Sequence, residues 1–397
     1  MFSKPFISAF AVGLMLPTIN QANAEVKTKA ESPLEEIVVS AHPLAENGTA
    51  QTVTVLGGDK LAREVQSSLG ETLSAEAGIQ SASFGTAVGR PIIHGLAGAR
   101  VKTTADRIDT LDVSITSGDH AVGVEPFIAD QITVLRGSST LLYGNGAIGG
   151  VVDVSTSRIH GEMIIDVSGR AQLRTSDNAN ASNGAFTVDV PVSSNILLHV
   201  DGFLSDADDY DIPFFAESAF QIAAEKAEEM GGDHEDEEHD EEEEVFGVLE
   251  GSRSERRGGA IGLSFIGDNG FAGFSISSLN ADYGLVGGHG HEHEGEEEEG
   301  VEEEGEEPGM IDLSQTRLDF EAQLNTPFSG IESINFRLGV NDYEHNEFES
   351  NGEIGTRFSN EAWEGRVELR HEPLAGFEGA LGIQLSDREF SAVGEEA

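Results

Sequence analysis

The chain of 397 residues contains no cysteine, which excludes disulfides and thiolate metal sites, and its five methionines leave little thioether for a soft Cu(I) site. With 23 Lys+Arg against 72 Asp+Glu the formal net charge is −49, a balance that repels nucleic acid and attracts cations. Much of that excess sits in two runs, and outside them the composition is ordinary.

Lys4 supplies a basic start and Phe6 to Leu16 an apolar run too short to span a bilayer as a helix. Ala22-Asn23-Ala24 is a small-residue cleavage site, so residues 1–24 read as a secretory signal peptide and the mature chain begins near Glu25. A polar linker follows, with Glu35-Glu36-Ile37-Val38-Val39-Ser40-Ala41 as a short β-prone segment at its end. Such a segment can add as a strand to a partner's sheet edge, although taken alone it is usually just a first strand.

Residues 42 to about 158 alternate short elements with turn signals. Thr52 to Leu56 reads as a strand, Asp59 to Val65 and Leu69 to Ala77 as short helices, with Gly57-Gly58 and Gly78 as punctuation. Ser117-Gly118-Asp119-His120 is a loop with an adjacent carboxylate and imidazole; on local sequence alone an Asx-type turn with a solvent-exposed histidine is the better account. Ile132 to Leu135 reads as a buried strand, Arg136-Gly137 breaks it, and a Gly-rich turn leads into a second strand at Val151 to Val154.

The run from Gln131 to Val154, with Leu135-Arg136-Gly137, Leu142-Tyr143-Gly144 and Gly146-Ala147-Ile148-Gly149-Gly150-Val151-Val152, resembles the end of the plug domain of TonB-dependent outer-membrane receptors. Leu69-Gly70-Glu71-Thr72-Leu73 and Arg90-Pro91-Ile92-Ile93-His94-Gly95 are similar to earlier plug segments, with His94 where the family usually has arginine. The resemblance implies that Glu36, Ile37, Val38, Val39 and Ser40 form the TonB box that a TonB-type periplasmic energy-coupling protein grips. Within the family the Asp119-His120 run is most similar to the outer-membrane zinc receptors, where an Asp-His pair at the matching place belongs to the zinc site. Tyr283-Gly284 ahead of a His-rich loop is similar to the same subgroup.

From residue 161 onward apolar and polar residues alternate cleanly, as in Leu318, Phe320, Ala322, Leu324 against Arg317, Asp319, Glu321, Gln323. Repeated strands of about ten residues with one apolar and one charged face, in an exported chain, fit a transmembrane β-barrel with a wet lumen and a lipid-facing apolar surface. About nine such strands are legible, near 163–174, 183–191, 195–206, 255–266, 271–282, 314–326, 333–349, 358–371 and 376–389. Tight turns at Pro191 to Asn195, Gly267 to Gly270, Pro327 to Gly330 and Glu372 to Gly376 alternate with longer connections, which assigns the long ones to the exterior. The expected fold is an all-β antiparallel barrel of about 22 strands in the whole receptor, of which residues 159–397 supply the first part, around an N-terminal α+β plug.

Both acidic runs fall in external loops, near 207–252 and 283–313. The first carries His234 and His239 and the second His289, His291 and His293, all among carboxylates. Acidic low-complexity tracts are normally solvated segments, but imidazole interleaved with carboxylate suits capture of Zn²⁺ and, less selectively, Ni²⁺ or Cu²⁺. In the seventh strand the odd positions His345, Glu347 and Glu349 share the lumen face if no bulge intervenes. Asp119 and His120, one carboxylate of this strand and a ligand from the remainder of the barrel would complete a tetrahedral N/O site between plug and wall, although an ordinary polar lumen fits the same pattern as well. The expected function is import of Zn²⁺, without catalysis and without an organic cofactor, through the Gram-negative outer membrane. A receptor for haem or an iron chelate is the nearest rival, and a surface metal-binding protein without transport is the second.

Overall fold

The structure, a computed structural model, describes residues 53–216, 218, 220, 246–286, 309–349 and 351–394. The signal segment, the segment Glu36 to Ser40, and His234, His239, His289, His291 and His293 lie outside the described residues.

The plug is built from β1 (Val53–Gly57), α1 (Gly58–Glu64), α2 (Leu69–Leu73), β2 (Ile79–Phe84), β3 (Val88–Ile93), β4 (Val101–Ala105), β5 (Ile108–Asp109), β6 (Gln131–Leu135) and β7 (Gly150–Ser155). Its main sheet has the order β1-β6-β7-β4-β5, antiparallel except for the parallel β4–β7 pair, and β2–β3 form a separate hairpin. The runs Gln131 to Leu135 and Gly150 to Val154 are buried on both faces, which is why they read as continuous rather than alternating apolar segments. Between them the chain needs a left-handed turn at Gly144 (φ 71°), and at Gly150 a side chain would meet Leu135 O at 3.0 Å.

Helix α2 starts where Ser68 caps it, its hydroxyl accepting from the Glu71 N–H at 3.3 Å. It is shorter than the expected 69–77 span. The Ser74 hydroxyl bonds back to Glu71 O, the Glu76 N–H reaches Leu73 O over three residues, and Gly78 (φ 78°) turns the chain away.

The wall is a nine-stranded antiparallel sheet: β8 (Ser168–Thr175), β9 (Ser182–Pro191), β10 (Ile196–Ala207), β13 (Ser254–Gly267), β14 (Gly270–Gly284), β15 (Met310–Phe328), β16 (Ile331–Phe348), β17 (Ile354–Leu374) and β18 (Phe377–Gly394), each beside its neighbour. A separate hairpin, β11 (Tyr210–Phe215) with β12 (Phe246–Leu249), stands in the long connection between β10 and β13. The first wall strand begins at Ser168 rather than near residue 163. Its partner β9 ends at Pro191, which has no N–H to give, so the residues before Ser168 find no ladder.

Alternation along the strands sorts the two faces. Phe265, Ile276, Leu318, Leu324, Leu381 and Ile383 are exposed on the outside, while Arg256, Arg317, Asn341 and Arg366 are buried against the plug. An outer face of this composition is stable against lipid rather than water. One end of the wall carries the short turns at 192–195, 268–269, 329–330 and 375–376; the other carries the longer connections.

The wall holds the plug largely through guanidinium groups bonded to plug backbone carbonyls. Arg170 donates to Ile128 O and Ala129 O, Arg174 to Val65 O, Arg256 to Ser67 O and Val124 O, Arg317 to Asp109 O and Thr110 O, and Arg366 to Leu142 O. The side-chain amides of Asn341 and Asn360 converge on a single carbonyl, that of Leu111, at 2.9 and 2.7 Å. Apolar contact is concentrated at the loop end, where plug Val122, Val124 and Phe127 share a core with wall Phe203, Leu279, Ile311 and Leu313.

Candidate metal centre

The plug segment from Asp112 to Gly123 is held in shape before it meets the wall. Asp112 accepts from the N–H groups of Ser114 and Gly123, at 3.0 and 2.8 Å, and closes the segment on itself. Arg90 on β3 reaches across to Ser114 O and Ser117 O, both at 2.5 Å. On the wall side the Tyr283 hydroxyl accepts from the Ala121 N–H at 3.0 Å and donates to Asp119 O at 3.4 Å. These bonds fix the chain on both sides of His120, whose imidazole is fully buried.

His120 meets the last turn-free residues of β16. Its Nε2 lies 2.8 Å from Glu347 Oε1, and Nε2 of His345 lies 3.4 Å from the same oxygen. Ligand atoms from the three residues all fall within 4.8 Å of one another, and all three residues are buried. Each imidazole is oriented from behind. Nδ1 of His120 faces Thr116 Oγ1 at 2.8 Å and Val113 O at 3.2 Å, and Nδ1 of His345 faces the Tyr343 hydroxyl at 2.9 Å. Phe358, the cross-strand partner of His345, stacks on its ring at 4.5 Å and meets His120 edge-on at 5.1 Å.

The protonation of His120 follows from these partners. Burial alone would lower its pKa, but the bond to Glu347, the bond to Val113 O and the nearby Asp119 together raise it. Val113 O can only accept, so Nδ1 is the donor on that side and Nε2 is the nitrogen that faces Glu347. A metal ion at Nε2 would compete with a proton for that nitrogen. Two imidazole nitrogens and a carboxylate oxygen, with no sulfur among them, form a donor set suited to Zn²⁺ and to Ni²⁺ or Cu²⁺.

Two residues expected in this site lie outside the group of three. Asp119, close enough to act on His120 electrostatically, turns its carboxylate to the Ser117 hydroxyl of its own loop. Glu349 lies one residue past the end of β16 at Phe348, where its carboxylate accepts from the Asn351 amide and its backbone N–H donates to Glu353 O. It therefore belongs to the turn into β17 rather than to the ladder that carries His345 and Glu347. Tyr343 shares the odd parity that puts His345 on the lumen face, whereas Thr116 carries no local signal and Phe358 depends on the β16–β17 register.

Residues 45–151 match the family model of the TonB-dependent receptor plug domain. The chain is also similar to the solved structure of the copper transporter OprC, with a TM-score of 0.63 and 13% identity over 86% of this chain and 46% of that one. A mutant of the ferric enterobactin receptor PfeA from Pseudomonas aeruginosa gives a TM-score of 0.57 and 16% identity over 89% and 51%. The ferric yersiniabactin uptake receptor FyuA from Yersinia pestis gives 0.55 and 12% over 86% and 49%. The chain thus spans about half the length of these structures, and at such identities the likeness is one of fold: a plug domain followed by the antiparallel wall of a receptor-type barrel.

Proposed function

We propose that this chain, a TonB-dependent plug followed by barrel wall, belongs to an outer-membrane receptor that imports Zn²⁺ or a similar divalent metal. The observation that carries this reading is the buried group of His120, His345 and Glu347, drawn from both plug and wall. A bare ion is the ligand such a group fits. Haem or an iron chelate needs an open cavity, and His120 and His345 are sealed under Phe358 and Tyr343. The absence of cysteine from the chain favours Zn²⁺ over Cu(I).

The partition of ligands supplies the mechanism. Wall residues His345 and Glu347 are fixed by their ladder, whereas His120 belongs to the domain that a TonB-type partner pulling on Glu36 to Ser40 would displace. Moving His120 away would remove one of the three donors found among the described residues, and the affinity would fall at the moment of release. External loops carrying His234, His239, His289, His291 and His293 serve as weak collectors that raise the local metal concentration. Transport against a gradient draws on the coupling protein, since binding alone favours neither direction.

The test is ⁶⁵Zn uptake by cells producing the complete receptor, comparing wild type with His120→Ala, Glu347→Gln and a deletion of Glu35 to Ala41. Uptake lost in all three, with surface binding retained by the deletion, is the expected result. Uptake unchanged in all three would sink the importer reading in favour of a surface metal-binding protein.

A further inference from the structure

At the turn end of the wall, away from the group just described, a second constellation has the same kind of donors. The chain leaving the plug after β7 lies against the wall before it enters β8. At Gly262 on β13 a side chain would strike Arg158 O at 1.9 Å, and at Gly273 on β14 one would strike Ile159 at 2.6 Å. The His160 N–H is tied to Ser264 Oγ at 2.8 Å. These contacts place the His160 side chain against β9 and β10, where Asp189 and His199 are direct cross-strand partners.

His160 Nε2 and His199 Nδ1 point at one atom, Asp189 Oδ1, from 2.8 and 2.7 Å. The ligand atoms of the three residues lie within 4.8 Å of one another. Behind them is an orienting partner: His199 Nε2 faces Asp201 Oδ2 at 3.1 Å, and Arg158 grips Asp201 through Nε and Nη2 at 2.7 and 3.1 Å. A carboxylate behind an imidazole fixes the ring and raises its basicity toward a metal. The side chain of His199 is buried at 2% exposure, while His160 and Asp189 keep 18% and 16%, so the group has a floor and an open side.

The geometry points to a second divalent transition-metal site, formed by His160 Nε2, His199 Nδ1 and the Asp189 carboxylate, with Asp201 and Arg158 holding His199 in place. Binding exchanges the protons between the two imidazoles and Asp189 for the ion, and the open side admits water as a further ligand. His199 registers through β13, β14 and β15 to Gly339, six residues from His345 on β16. The two sites are therefore about 20 Å apart along the strand direction at roughly 3.3 Å per residue. If the importer reading holds, on which this role but not the site itself rests, the ion released from His120 meets these residues before it leaves the barrel.

The test is anomalous diffraction at the zinc edge from crystals of the complete receptor soaked in zinc chloride, for wild type, His160→Ala and Asp189→Asn. The expected result is a peak bounded by His160, Asp189 and His199 that both variants lose while the peak at His120 stays. Retention of the latter peak also reports that the variants are folded. No peak here at a zinc concentration that fills the His120 group, or a peak that survives His160→Ala, overturns the inference and leaves an ion-pair network. A peak here with none at His120 supports this site and sinks the reading of the other.

Discussion

The two histidine–carboxylate groups share a donor set and differ in what their members are attached to. In the loop-end group His120 arrives on a plug loop, and its ligand atom meets wall residue Glu347, 227 positions away in the chain. In the turn-end group His160 lies on the segment that enters the wall at Ser168, pinned to β13 and only 29 positions from Asp189. On the proposed function, displacing the plug would separate the first set of residues and leave the second in place. The same chemistry can thus be a gate in one place and a fixed station in the other, according to which rigid unit carries the third ligand.

Removing the member that makes the first group a gate has the largest expected effect. His120→Ala should abolish zinc uptake while the barrel still assembles, and Glu347→Gln should do the same; retained uptake in either would erase the contrast. Next comes Tyr343→Phe, which deletes the hydroxyl behind His345 Nδ1 and should weaken zinc binding at the loop-end group about 10- to 100-fold, measured by competition with a chelator.

Acidity should act more gradually. Because the His120 pKa is raised, its imidazolium form already dominates above the pH at which an ordinary histidine protonates. Zinc binding should therefore begin to weaken at a correspondingly higher pH, by about tenfold per unit for one displaced proton, and binding should release that proton into weakly buffered solution. A titration that follows an unperturbed histidine would contradict this assignment. The smallest effect is expected from His160→Ala: slower uptake at unchanged affinity of the loop-end group, with equal rates counting against an exit role.

What could be read without the structure follows strand parity and turn symmetry. His345 and Glu347 were legible because odd positions of one strand share a face, whereas Glu349 falls one residue past the end of β16 and takes its hydrogen bonds from the turn. The nine wall strands were legible because lipid on one side and a polar lumen on the other impose a period of two. Asp189 and His199 lie symmetrically about Ser194 in the short turn, so their pairing follows once the hairpin is centred there. What joins them to His160 is the path of the linking segment over Gly262 and Gly273, a packing fact with no local signal. His120 was found through its motif, but its partner Phe358 needed the register between two strands.

The arginine–carbonyl contacts between wall and plug bear on the mechanics of any plug movement. Each guanidinium and each carbonyl can find an equivalent partner in water, so a contact of this kind is worth about 1.5–3 kcal/mol net and is readily remade. Distributed along the wall from Arg170 to Arg366, they act as a series of small detents, with one stiffer apolar catch at the loop end around Phe127 and Ile311. A pulling force that frees the catch would then meet a succession of low steps, and the plug could reseat by the same notches. Because the detents grip main chain rather than side chain, they index the position of the backbone and leave most of the plug's surface sequence free to drift.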